Sequence, residues 1–281
     1  MSNFIFDFHT HAFPEKIARS TIEKLSKIAD SPYYGDGTLA GLRDNLAEAE
    51  ASSAAVLNIA TNPLKVARIN DCAAENDWFV SHNGTYGRLI HFGSVHPDAT
   101  DALEECERIA SLGIRGVKFH PDYQNFYIDE ERLFPIYEKL SSLRLPVVFH
   151  GGYDPYSPND IHCTARRAVK VLERFPDLTV ILAHMGGNIT GYRESLELLC
   201  GRYENLYLDT SFCAGHIDTD LMHEMIEKQT PDKVLFGSDF PWHTTSEELR
   251  LIKSLRLAGS DEEKILGKNA ASLLSFDPRN L

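Results

Sequence analysis

Short apolar runs rich in β-branched residues alternate along the chain with longer segments in which apolar residues recur every three or four positions. The first pattern predicts buried strands and the second predicts amphipathic helices. Eight strands are predicted, at residues 4–9, 54–60, 90–96, 113–120, 146–150, 179–184, 205–210 and 233–239. Eight helices follow them, at residues 39–51, 64–76, 100–112, 130–143, 164–175, 191–203, 219–228 and 246–257, and a ninth at 261–274 closes the chain.

Eight strand–helix units in 281 residues match a (β/α)8 TIM barrel. The main rival is a doubly wound sheet. No Gly-rich GxGxxG turn follows the first strand, which argues against a dinucleotide-binding sheet. The sequence has no internal repeat, low-complexity stretch or linker, so we expect a single α/β barrel domain over residues 1–281.

Polar residues recur where the predicted strands end. Two histidines that share one side of an extended chain, His9 and His11, follow the first strand. Other strand ends carry Lys118 with His120, His150, His184 and Asp239. A closed barrel gathers these ends at its C-terminal face, where barrel enzymes have their active sites. Imidazole and carboxylate ligands without thiolate suit Zn, Mn or Fe(II), so the pattern predicts a catalytic divalent metal site.

Composition and charge narrow the class of protein. Hydrophobic residues make up 43% and charged residues 25% of the chain, and the formal net charge is −13. This acidity disfavours nucleic acid and anionic membranes as partners, and favours a small-molecule substrate. Five widely spaced cysteines and the absence of a secretory signal predict a cytoplasmic protein. A homodimer or higher homo-oligomer remains open.

In this order, the motifs resemble those of the amidohydrolase superfamily. More narrowly, they resemble its amidohydrolase 2 branch, which includes aminocarboxymuconate semialdehyde decarboxylase and γ-resorcylate decarboxylase. The segments that carry the resemblance are DFHTH (7–11), GVKFHP (116–121), VFHGG (148–152), LAHMGG (182–187), YLDTS (207–211), LFGSDFP (235–241) and ILGKNA (265–270).

The resemblance implies a role for each matching residue. One divalent ion, with Zn expected and Mn or Fe as alternatives, would be held by four ligands: His9, His11, His150 and Asp239. Asp239 would also act as a catalytic base. His184 matches a residue that contacts the substrate or the metal-bound water in one-metal members of the superfamily.

Four further residues are predicted to contact substrate: Lys118, His120, Tyr153 and Trp242. Lys118 lies two positions before the strand end, about 6.6 Å deeper, which is a poor position for a group that bridges two metals. The favoured reaction is metal-assisted hydrolysis of a small amide, ester or lactone. The alternative is non-oxidative decarboxylation of a small carboxylic acid with the same ligands, and a third is a barrel that binds without catalysis.

Overall fold

The computed structural model describes residues 4–74, 77–80 and 86–277. The strands are β1 Phe6–Thr10, β2 Ser53–Leu57, β3 Asp77–Val80, β4 Tyr86–Phe92, β5 Val117–Phe119, β6 Val147–Phe149, β7 Val180–Leu182, β8 Leu206–Asp209 and β9 Val234–Leu235. The α-helices are α1 Glu15–Ala29, α2 Leu39–Glu48, α3 Val66–Ala73, α4 Ala102–Ser111, α5 Pro121–Gln124, α6 Phe134–Ser142, α7 Ala165–Arg174, α8 Tyr192–Leu198, α9 Thr219–Gln229, α10 Thr245–Ser254, α11 Gly259–Glu263 and α12 Asn269–Leu273. Short 3₁₀ turns precede α3 and α6, and a π-helical turn, Lys264–Lys268, joins α11 to α12.

The chain divides into two compact units. The first comprises Met1–Val56, Asn76–Ile90 and Asp209–Leu281, and the second comprises Leu57–Glu75 and His91–Leu208. In the first unit, the sheet order is β1-β2-β4-β3. β1 runs parallel to β2, with Phe6 opposite Ser53, whereas β3 and β4 pair antiparallel.

The second unit contains a parallel sheet in which β5, β6, β7 and β8 lie side by side in that order. The register is continuous: Val117 pairs with Val147, which pairs with Val180, which in turn pairs with Leu206. Every residue of β5, β6 and β7 is buried. Strands covered on both faces read as unbroken apolar runs, which is why the sequence pattern found them.

All eight predicted strands overlap observed ones, but β3, α1 and the four-residue helix α5 were not predicted. β3 follows α3 directly and forms a hairpin with β4, so it interrupts the strand–helix alternation. The 15-residue helix α1 buries only Ala18 and Ile22 and leaves Ile17 about half exposed. Its apolar residues, at positions 17, 18, 22, 25, 28 and 29, do recur at helical spacing, so the sequence carried a helical signal that the prediction passed over.

Local sequence fixes three helix ends. Asn62 caps the 3₁₀ turn that begins at Pro63, and Gly113 follows α4 with φ +74°. α10 begins at Thr245, one residue before the predicted start at residue 246. Thr244 is the N-cap, because its side chain accepts from the Glu247 N–H while Glu247 accepts from Thr244 in a capping box.

Within the described residues, no helix has both the length and the apolar character needed to cross a bilayer. All five cysteines are free thiols, and four of them are buried.

Candidate metal centre

The end of β1 and the segment after β9 bring two histidines and one aspartate together in the first unit. The Nε2 atoms of His9 and His11 are 3.2 Å apart. The Oδ1 atom of Asp239 lies 3.3 Å from Nε2 of His9 and 3.2 Å from Nε2 of His11. Three ligand atoms of these types are thus almost equidistant in a mostly buried position.

The backbone fixes the position of Asp239. It lies just beyond β9 with φ +69°, a left-handed conformation that costs energy for a residue other than glycine. The backbone N–H of Asp239 donates to the His9 carbonyl at 2.7 Å, and the backbone N–H of His11 donates to the Phe240 carbonyl at 2.7 Å. Gly237 makes this close approach possible, because a Cβ there would lie 2.8 Å from Cβ of His9.

A second layer of polar groups orients His9. Its Nδ1 lies 2.8 Å from Oδ2 of Asp209, a fully buried carboxylate. The other oxygen of Asp209 accepts from the Ser211 N–H at 3.1 Å and from the Ser211 hydroxyl. A carboxylate at Nδ1 holds the proton there and leaves the Nε2 lone pair for a metal, as is common for metal-binding histidines.

Asp7 is the other buried carboxylate of this region. It accepts from the Ser238 N–H at 2.9 Å and from the Thr245 hydroxyl at 2.6 Å. Burial raises the pKa of Asp7 to about 6, although these hydrogen bonds oppose the rise. Asp7 therefore ties β1 to the segment that carries Asp239 and to the start of α10.

The donor set fits a divalent cation. Around an ion bonded at about 2.0–2.1 Å in tetrahedral geometry, neighbouring ligand atoms are about 3.3–3.4 Å apart. The observed separations of 3.2–3.3 Å among His9, His11 and Asp239 agree with that spacing. Two imidazole Nε2 atoms that face each other at 3.2 Å also need a proton or a cation between them. Imidazole with carboxylate suits Zn, Mn or Fe(II).

In the second unit, the predicted residues form a separate histidine cluster. His150 Nδ1 lies 3.0 Å from His184 Nε2, and the His150 ring stacks on His120 with centroids 4.3 Å apart. Oδ2 of Asp154 lies 3.4 Å from His150 Nε2 and 3.5 Å from His120 Nε2. All four side chains are buried. A carboxylate shared by two imidazoles can hold a proton between them or take part in binding a cation.

Two tyrosines contact this cluster, and a buried lysine lies in the same unit. Tyr123 stacks on His120 with ring centroids 3.8 Å apart. The Tyr153 carbonyl accepts from Asn188 Nδ2 at 2.7 Å and lies 3.3 Å from Nε2 of His150. Lys118 is fully buried in β5. An imidazole–phenol stack with a buried ammonium in the same unit is typical of a surface that binds planar, polar molecules.

Three of the four predicted ligands thus come together in one unit. His150 lies in the other unit, and its role as the fourth ligand remains a prediction. Trp242 is half-buried in the first unit, and its backbone N–H donates to the Asp239 carbonyl at 2.8 Å. Sequence reasoning missed Asp209 and Asp154. Asp209 ends a strand within the quoted YLDTS segment, and that position could have suggested a role.

Comparison with solved structures gives the fold. An uncharacterised TIM-barrel protein from Bordetella bronchiseptica superposes with a TM-score of 0.77 at 20% identity, covering 96% of this chain and 98% of that one. A dihydroxybenzoic acid decarboxylase from Polaromonas sp. JS666, solved with bound manganese and 2-nitroresorcinol, gives a TM-score of 0.69 at 18% identity, covering 97% of each chain. The fold is therefore the predicted (β/α)8 TIM barrel, here with a His/Asp cluster suited to a divalent cation.

The sequence comparisons give the family. A model of the amidohydrolase family matches residues 6–276, so the chain belongs to that family. A 2-amino-3-carboxymuconate-6-semialdehyde decarboxylase from Dictyostelium discoideum is 26% identical over 232 residues, which cover 68% of this chain and 62% of the relative. The chain thus matches less than two thirds of that relative's length.

Proposed function

We propose that the protein is a metal-dependent, non-oxidative decarboxylase of a small carboxylic acid. The observation that carries the proposal is the near-equilateral arrangement of His9, His11 and Asp239, backed by Asp209. The sequence alone favoured hydrolysis. Two of the three named similar proteins are decarboxylases, and one of these was solved with manganese, which supports the alternative reaction with the same ligands.

His9, His11 and Asp239 would hold the ion, with His150 as the expected fourth ligand. When bound, a divalent cation supplies Lewis acidity that stabilises negative charge on a substrate oxygen. Asp209 keeps the proton of His9 on Nδ1. The fixed backbone of Asp239 keeps its carboxyl group beside both imidazoles. These residues therefore present a preorganised polar site that needs little rearrangement during the reaction.

Decarboxylation breaks one carbon–carbon bond and leaves its electron pair on the carbon that remains. That carbon must gain a proton as CO₂ leaves. Asp239, as a carboxylic acid, can donate the proton and recover one from solvent. His184 is the second candidate for proton transfer, because a neutral imidazole can donate or accept near neutral pH.

The test compares protein loaded with Mn²⁺, protein loaded with Zn²⁺ and chelator-treated protein. Each is assayed for CO₂ release from a panel of aromatic and unsaturated carboxylic acids, and for hydrolysis of lactones and amides. We expect metal-dependent CO₂ release that is lost in His11→Ala. Metal-dependent hydrolysis without CO₂ release would reject decarboxylation and restore the hydrolase assignment.

A further inference from the structure

A polar cavity in the first unit is lined by none of the proposed metal ligands. It has a volume of about 380 Å³ and is lined by Tyr34, Ala214, Gly215, His243, Glu247 and Arg250. His243 follows Asp239 by four residues, and Tyr34 donates its N–H to the Pro241 carbonyl at 2.7 Å. The wall of the cavity is therefore continuous with the segment that carries the metal ligand Asp239.

The ring of His243 is held by a buried carboxylate. Nδ1 of His243 lies 2.7 Å from Oε1 of Glu248, whose side chain is fully buried. Glu248 also accepts the Ala214 N–H with both oxygens, at 3.0 and 3.1 Å. The ring packs on Phe212 with centroids 4.5 Å apart. With Nδ1 occupied in this way, the remaining nitrogen of His243, Nε2, is the one left to meet a ligand.

The groups around His243 favour its protonated form, which attracts anions. Burial alone would lower the pKa of His243, but the hydrogen bond and charge of Glu248 outweigh burial and raise the pKa above its ordinary value. Glu247 and Asp239 act in the same direction, whereas His216 stacks at 5.5 Å and has its own pKa lowered by burial and by His243. These neighbours favour the protonated ring of His243, in which Nε2 can donate to a ligand.

Arg250 supplies a second donor. In the described part of the chain, neither its guanidinium group nor Nε2 of His243 has a hydrogen-bond or ion-pair partner. The acidic lining residue Glu247 is already engaged, since it caps α10 through Thr244 and accepts from the Tyr34 hydroxyl at 3.4 Å. A cavity with two available cationic donors and an engaged acid suits a carboxylate, because charge-assisted hydrogen bonds to such groups are strong and directional.

We propose that this cavity binds a carboxylate that the substrate retains, with Arg250 and His243 as its donors. The proposal rests on the proposed function and names the substrate class, a dicarboxylic acid. A departing carboxylate loses its charge as CO₂ forms, so a cation paired with it would stabilise the ground state more than the transition state and slow the reaction. A cation paired with a carboxylate that stays contributes binding without that penalty.

The test measures binding, not turnover. Mn²⁺-loaded protein is titrated with benzoate and with benzene-1,2-, 1,3- and 1,4-dicarboxylate, followed by the fluorescence of Trp242 next to His243. Arg250→Gln is compared with Lys253→Gln, which removes the same charge from an exposed position of α10 that does not line the cavity. His243→Gln tests the second donor.

We expect at least one dicarboxylate to bind more tightly than benzoate. Arg250→Gln should weaken that binding about tenfold, the usual effect of losing one hydrogen bond to a charged group, and Lys253→Gln should change it less than twofold. Benzoate has one carboxylate and cannot occupy both the cavity and the metal site, so Arg250→Gln should weaken its binding less than that of the dicarboxylate. The proposal is overturned if no dicarboxylate binds more tightly than benzoate, if Arg250→Gln has no effect, or if it weakens benzoate equally. Because no product is measured, this outcome is independent of whether the protein decarboxylates.

Discussion

Replacing Asp209 by Asn isolates the contribution of the residue behind the metal ligands. One oxygen of Asp209 meets Nδ1 of His9, and the other accepts from the N–H and hydroxyl of Ser211. An Asn side chain has only one oxygen, so it cannot accept from both His9 and Ser211 with separate oxygens as Asp209 does. If its NH₂ group faces His9, Nδ1 must become an acceptor and the proton moves to Nε2, where it blocks the metal. If its NH₂ group faces Ser211, it opposes the Ser211 N–H.

Either arrangement should weaken metal binding without removing a ligand. Loss of an outer partner of a metal-binding histidine costs 10- to 100-fold in affinity, about 1.4–2.7 kcal/mol. That range agrees with the approximate worth of one hydrogen bond to a charged group, about 1.5–3 kcal/mol. We therefore expect Asp209→Asn to raise the Kd for Zn²⁺ or Mn²⁺ 10- to 100-fold while saturating metal still fills the site.

The assay is a competition titration against a chromophoric chelator at fixed pH. Asp220→Asn is the matched control, because it removes an equal charge from an exposed position on α9. Circular dichroism confirms that both variants are folded. A Kd for Asp209→Asn within twofold of the parent protein would refute the argument that Asp209 sets the tautomer of His9.

Three further predictions concern other residues of the site. His11→Ala should lose the metal and the activity but keep the fold by circular dichroism, because the large apolar core does not depend on the ligands; an unfolded variant would contradict this. His184→Asn should keep its metal and lower kcat about 10²- to 10⁴-fold, measured on one preparation, and loss of metal in step with activity would make His184 a ligand. Burial raises the pKa of Glu248 from 4.5 to about 7, so the folded state favours the neutral side chain. The resulting contribution to the free energy of unfolding is about 3 kcal/mol. It is fully present below pH 4.5 and is lost as pH rises through about 7. Urea unfolding of Glu248→Gln across this range should show a flatter pH dependence than the parent protein, and equal slopes would contradict the assignment.

The sequence predicted that His9, His11 and Asp239 would lie close together because strand ends are marked by a change from apolar to polar residues. His9, His11 and Asp239 each follow an apolar run, and backbone periodicity alone places such residues at one edge of a parallel sheet. The cluster follows from features that lie within a few residues of each ligand.

Local sequence patterns could not identify contacts between residues that are far apart in the chain. Asp209 is 200 residues from His9, and its carboxylate is recognised as an orienting group only once the contact is seen. Glu248 reads from the sequence as one more acidic residue at the start of a helix, where acids are common. Its complete burial against His243 and Ala214 depends on packing that no local pattern encodes.

The buried acids of the first unit would favour a bound cation. Asp7, Asp209, Asp239 and Glu248 are all buried, and unpaired buried carboxylates are costly. Hydrogen bonds compensate only in part, since the pKa of Asp7 remains raised to about 6. A bound divalent cation would lower this cost for the whole group by direct attraction. It would also add stability by mass action, about 2.7 kcal/mol at a free concentration one hundred times its Kd. His11→Ala should therefore fold but no longer be stabilised by added metal, which separates the role of the ion in stability from its role in the reaction.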